Sequence, residues 1–474
     1  MSIQNQARRG LLWSAIERFA TQGIQLVVML ILASKLGPEA FGLVGLLAVF
    51  ISIAQVFVDS GFSNALIRKL DRSESDFSTT FYFSIAVGFF CYGLIFIGAP
   101  YISIFFEQPL LTDIARVSGL SIIISSFAIV QRAKLTINVD FKSQAKASLS
   151  SVLISSVVGL ASAFSGFGVW SLVAQTLTAV FFNTLFLHIV LRWLPKERFC
   201  YSSFKELFGF GSKLLLSGLI ERIYKNIYII VIGKQFTVAD AGQFTQADQL
   251  TSVPAMTMTA VIQRVTYPLL SNIQDDLKRL DAAYLLSLRL AAIVIFPLMF
   301  GLSAVAELLV NLLLGDIWAQ AGYLAFILSF GLMLYPVHAI NLNVLNVKGR
   351  SDLFLRLEII KKVLITVVLF ITVPHGIIAM CIGMVVQSYL SLAINAYYTG
   401  KLTSISMREQ FISLFPIWLV AGATTWGSYF LVTLLDTDIA WLKMVSIVTI
   451  AIIMYMCSIR LMFYDLFKQL LNQK

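Results

Sequence analysis

Fourteen stretches of this chain are apolar for about as long as a helix needs to cross a bilayer, roughly 20 residues each. They run approximately over 11–33, 42–67, 79–105, 112–131, 147–165, 170–191, 208–233, 242–264, 283–306, 321–346, 357–373, 376–398, 411–434 and 439–460. Only 13% of the 474 residues are charged, against about a quarter in soluble domains, and mean hydropathy is +0.85. The pattern predicts an all-α polytopic membrane protein of 14 transmembrane helices. The stretch "ARRGLLW" reads as the lead into the first span rather than a secretory leader, because the apolar run after it is too long.

The net charge of +10 could suggest nucleic acid in a soluble protein. Its distribution argues otherwise. With the N-terminus inside, 24 of the 35 Lys and Arg fall in inner connecting segments, counting Arg132 and its neighbours among them. Only Lys35 and Lys234 fall in outer ones. That asymmetry predicts both termini on the cytoplasmic side. Connecting segments are short, so no soluble domain is expected. Three separated histidines and four scattered cysteines predict no metal site and no cofactor.

The chain also repeats itself. "SAIERFATQG" and "SGLIERIYKN" each put a Glu-Arg pair inside an apolar run, Glu17-Arg18 and Glu221-Arg222. Continuing the alignment sets Lys35 on Lys234 and Gly42 on Gly242. The repeat predicts an N-lobe of spans 1–6 (1–200), a C-lobe of spans 7–12 (201–400), and spans 13 and 14 with a cytoplasmic tail (401–474). Six is even, so the lobes are parallel repeats, related by a two-fold along the membrane normal. Transporters of that design hold substrate between the lobes and rock them.

An Arg or Lys at a lipid-exposed helix centre costs about 2.5–3.5 kcal/mol. The polar stripe Arg18, Gln22, Gln25 and its counterpart Arg222, Lys225, Asn226 are therefore expected to line a wet, anion-accepting cavity. Arg289, well inside span nine, joins them, whereas Arg264 sits near a cytoplasmic span end, where its side chain is expected to snorkel. Glu17, Asp59, Glu221 and Asp248 are candidate ion-coupling sites, or counter-ions of the arginines. A plainer reading has each Glu-Arg pair neutralise itself, with Glu221 reaching Lys225 one turn on.

The stretches "GLLWSAIERFATQGIQLVVMLILASKLGPEAFGLVGLLAVF", "DSGFSNALIRK", "GQFTQADQL" and "VIQRVTYPLLSNIQDDLKRL" resemble Wzx-type polysaccharide exporters. Those belong to the multidrug/oligosaccharidyl-lipid/polysaccharide (MOP) flippase superfamily, and the likeness is closest to the colanic and teichuronic acid branch. The resemblance covers essentially the whole chain. It implies a flippase of undecaprenyl-diphosphate-linked oligosaccharide in the bacterial inner membrane, serving surface polysaccharide synthesis. It implies polymerase and assembly proteins as partners, and Arg18, Arg222 and Arg264 as headgroup contacts. An ion-coupled antiporter of small molecules, of the multidrug type in that superfamily, is the alternative. An enzyme is not expected, since the outer loops are short and carry no nucleophile motif, and no phosphate-binding GxxxxGK[ST] is present.

Overall fold

A computed structural model describes residues 3–434 and 439–462. The side chains of Arg8 and Arg9 and the tail after 462 lie outside the described residues. Every regular element among the described residues is a helix. The chain divides into two compact units, Met1–Gly242 and Gln243–Lys474.

The first unit begins with α1 (Ile3–Asp59), which is two helices joined by a kink at Gly37 (φ 77°, ψ 173°). Glycine reaches that conformation without a Cβ clash, and the following Pro38 has no N–H to continue the hydrogen-bond ladder. The unit continues with α2 (Phe62–Arg68), α3 (Glu74–Phe106), α4 (Leu111–Ser126), α5 (Ile129–Ile137), α6 (Phe141–Phe164) and α7 (Trp170–Leu191). Then come α8 (Tyr201–Lys225), α9 (Ile227–Gln235) and the start of α10 (Val238–Asn272). Helix α6 packs closely on α7 and on α1. Its buried face is Ala145, Ala147, Ser151, Ser155, Ser156, Gly159 and Ala163 among few larger residues. Small residues let backbones approach where lipid offers no competing hydrophobic force.

Charged and polar groups fasten the loop between α2 and α3. Ser73 forms a reciprocal capping box with Asp76 at the start of α3. Lys69 bridges buried Asp76 at 3.0 Å and Glu206 of α8 at 2.9 Å. The hydrogen bond to Glu206 raises the Lys69 ammonium above the ordinary lysine range. Around them Phe62 packs on Phe83, Phe204 and Phe208, with ring centroids 4.8–6.3 Å apart. Ser73→Ala is expected to lower stability by about 1 kcal/mol, read as a lower melting temperature in detergent.

The second unit is built on α11 (Leu277–Leu314), with α12 (Ala319–Leu332), α13 (Tyr335–Val347), α14 (Ser351–Thr372), α15 (Ile377–Gly400), α16 (Met407–Leu434) and α17 (Ala440–Met462). Helices α12, α13, α16 and α17 all pack against α11. One core runs through them, including Tyr284, Phe296, Phe300, Val337, Ile417 and Tyr455. The buried Tyr284 hydroxyl lies 2.8 Å from Asn341 and 2.9 Å from Gln410, tying α11 to α13 and α16.

Among the described residues, ten helical segments are long and apolar enough to cross a membrane, the first being the kinked Ile16–Arg68. Helices α8, α10 and α14 fall on predicted spans but outside those ten. Helices α8 and α14 are rich in charge, with Arg222 and Lys225 on α8 and Glu358, Lys361 and Lys362 on α14, whereas α10 carries Asp248 and Arg264 beside a run of uncharged polar residues, Gln243, Thr245, Gln246, Gln249, Thr251 and Ser252. Fourteen crossings remain consistent with this helix order.

Candidate functional site: a charged cavity in the first unit

Four helices of the first unit line an open cavity of about 680 Å³. Helix α1 contributes Ser52, Gln55, Val56 and Asp59, one face at helical spacing. Gly61, Ser63 and Asn64 come from the start of α2, and Ile129 and Arg132 from α5. Helix α8 presents Leu214, Leu215, Ser217, Gly218, Glu221 and Arg222.

Local structure explains how charge is carried there. Asp59 ends α1, and Ser60 and Gly61 both take positive φ before α2 begins. The Asp59 side chain lies at the turn into α2 and lines the cavity. Arg132 stands opposite the buried Val130, Ala133 and Leu135 of α5, and the charges of Asp59 and Glu17 act on it. Gln55 accepts a 2.8 Å hydrogen bond from Ser125, which fixes its amide. Among the described residues, none of Arg132, Arg222, Glu221 and Asp59 is within 4.0 Å of an opposite charge. The Glu221–Lys225 pair weighed from the sequence is not formed.

The structure thus gathers Asp59, Glu221 and Arg222 of the predicted set, with Glu17 in electrostatic reach. Arg18, Gln22 and Gln25 lie on the first half of α1, outside the cavity lining. Lys225 ends α8, and Asn226 caps it by donating from Nδ2 to the Arg222 carbonyl at 2.8 Å. Asp248 and Arg264 are on α10. Arg289 of α11 donates from Nε to Ser413 Oγ of α16 at 2.6 Å, inside the second unit. Sequence reasoning missed Arg132, treating it as a connecting-segment charge. Its signal was the apolar period Ile129, Val130, Ala133, which carries the helix on past the hydropathic end of span four.

Fold and cavity together define an all-helical chain with helices long and apolar enough to cross a membrane and a charged cavity in its first unit. A model of the family described as "Polysaccharide biosynthesis protein" matches residues 31–323, and the chain belongs to that family. The succinoglycan biosynthesis transport protein ExoT of Rhizobium meliloti is 25% identical over 309 residues, 65% of this chain and 63% of ExoT. The teichuronic acid biosynthesis protein TuaB of Bacillus subtilis is 23% identical over 89% of this chain and 88% of its own. For the lipopolysaccharide biosynthesis protein WzxC of Escherichia coli the figures are 23%, 93% and 90%. Among solved structures, the lipid II flippase MurJ in an inward closed conformation superposes with a TM-score of 0.73 at 14% identity, over 96% of this chain and all of that one. An inward-facing multidrug MATE transporter of the MOP superfamily gives 0.64 at 18%, over 82% and 98%.

Proposed function

We propose that this protein is a flippase for lipid-diphosphate-linked oligosaccharide units in surface polysaccharide synthesis. One observation carries the reading: Arg132 and Arg222 face a polar cavity and, among the described residues, neither is within 4.0 Å of a carboxylate, although Asp59 and Glu221 line the same cavity. A diphosphate headgroup supplies the anion that such a pair lacks, and guanidinium forks match phosphate oxygens in geometry. Ser52, Gln55, Ser63, Asn64 and Ser217 offer the hydroxyl and amide groups that sugars hydrogen-bond. The lipid tail can stay in the bilayer throughout.

The proposal includes an inner-membrane location with both termini cytoplasmic, two parallel lobes, and a polymerase that takes up the delivered unit. The names of ExoT, TuaB and WzxC support the substrate class, and the uneven Lys and Arg distribution supports the orientation. Depleting the protein in cells is expected to hold the lipid-linked intermediate facing inward, out of reach of an impermeant glycan-labelling reagent. Unchanged sidedness with altered resistance to cationic drugs would contradict it in favour of an antiporter.

A further inference from the structure

Gly42 and Gly242 are matched in the sequence repeat, and the structure puts them in contact. A Cβ added to Gly242 would meet the Gly42 nitrogen at 3.0 Å and collide with the Pro38 carbonyl. A Cβ added to Gly42 would collide with the Val238 carbonyl. Pro38 and Val238 each precede their glycine by four residues and are themselves matched. The helices restart there in the same way, after the Gly37 kink and at the Thr237–Asp240 capping box.

The contact is therefore reciprocal: each glycine sits on the carbonyl of its partner's segment. A residue can touch its own repeat mate only at the axis that relates the repeats. In parallel-repeat transporters the path runs along that axis. Charge distribution puts this crossing at the outer end, beside Lys35 and Lys234.

The seam between α1–α2 and α8–α10 is closed at both ends, but unequally. At the inner end Gly61 meets Gly211 backbone to backbone, a Cβ on Gly61 having 2.6 Å to the Gly211 carbonyl oxygen. There the Phe62, Phe83, Phe204 and Phe208 rings interlock and Lys69 joins Glu206 to buried Asp76. The segment before α8 is tied to α3 by Trp193 on Glu74 and by Cys200 N–H on Thr79 Oγ1. The outer end has the glycine contacts, Gly233 against Leu46, and the exposed pair Lys234–Glu107 at 3.1 Å, with side chains 36% and 80% exposed and the Lys234 ammonium also over the Phe105 ring. Exposed pairs hold weakly.

We propose that the Gly42–Gly242 crossing is an outer gate, latched by Glu107–Lys234, which parts while the inner end of the seam stays shut as its pivot. The proposal rests on the transport reading, but its test needs no glycan. In a chain with Cys91, Cys200, Cys381 and Cys457 replaced, Ser52→Cys reports the cavity. An impermeant maleimide is added from outside and its labelling rate followed. Gly242→Ala, which denies the closed crossing its space, is expected to speed labelling about tenfold or more. Lys234→Glu sets two carboxylates face to face and is expected to speed it about two- to fivefold. Glu206→Gln, at the inner end, is expected to leave it unchanged. Rates unaltered by both outer variants, or raised as much by Glu206→Gln, would overturn the proposal. Should Gly242→Ala fail to accumulate, Lys234→Glu decides. Faster labelling in a protein that moves no lipid-linked glycan would leave the gate standing and remove the flippase reading.

Discussion

Replacing Arg132 and Arg222 together by alanine is expected to cut glycan export on the order of a hundredfold while the protein still inserts in the membrane. Each guanidinium would contribute a charge-assisted hydrogen bond to the headgroup, about 1.5–3 kcal/mol and thus roughly tenfold or more. Removing charge from membrane helices makes insertion easier, so a folding defect is not the expected cause. Two controls sharpen the result. Arg222→Lys keeps the charge and loses the bidentate fork, so export is expected to fall only in part. Arg289→Ala removes a bond to Ser413 within the second unit and is expected to affect stability more than export. Export at the normal rate in the double variant would remove the anion-site interpretation.

The largest stability effect is expected at the N-terminal end of α8. Lys69→Ala leaves Asp76, fully buried, without its cation, a loss of about 3 kcal/mol or more. The same change frees Glu206 harmlessly, because its side chain is 61% exposed. Combining Lys69→Met with Asp76→Asn is expected to recover most of the loss, since both charges leave together. Unfolding of the purified variants in detergent measures both. A single variant as stable as the parent would mean that the ion triad does not fasten α8 to α3.

How much of this was legible in the sequence varies by kind of feature. All fourteen predicted spans fall on helices, because burying apolar length against lipid leaves the backbone no other choice. The interruptions were harder to see. The Asn226 break between α8 and α9 and the break between α4 and α5 fall inside apolar runs, where hydropathy does not change. Gly42 and Gly242 were matched by alignment alone, and that they touch shows only in three dimensions.

The charges divide the same way. Arg222 and Glu221 could be assigned to a cavity because they repeat the Glu17-Arg18 pair inside a predicted span, where charge needs a wet surface. Arg289 looked identical by that logic, but its partner, Ser413, is 124 residues away, and local sequence does not show which neighbouring helix an arginine faces. Arg132 failed in the opposite sense. A basic residue at a span's inner end is normally a topological signal, and only the continuing helix of α5 carries it back to the cavity.

The most direct measurement uses purified protein in sealed vesicles carrying an undecaprenyl-diphosphate-linked oligosaccharide in both leaflets. A membrane-impermeant glycosidase outside then reports how much of the inner pool becomes accessible with time. The account predicts nearly complete digestion with the parent protein, and digestion stalled near the outer-leaflet fraction with the Arg132→Ala, Arg222→Ala variant. Stalled digestion with the parent protein, or equal digestion by both, would contradict it.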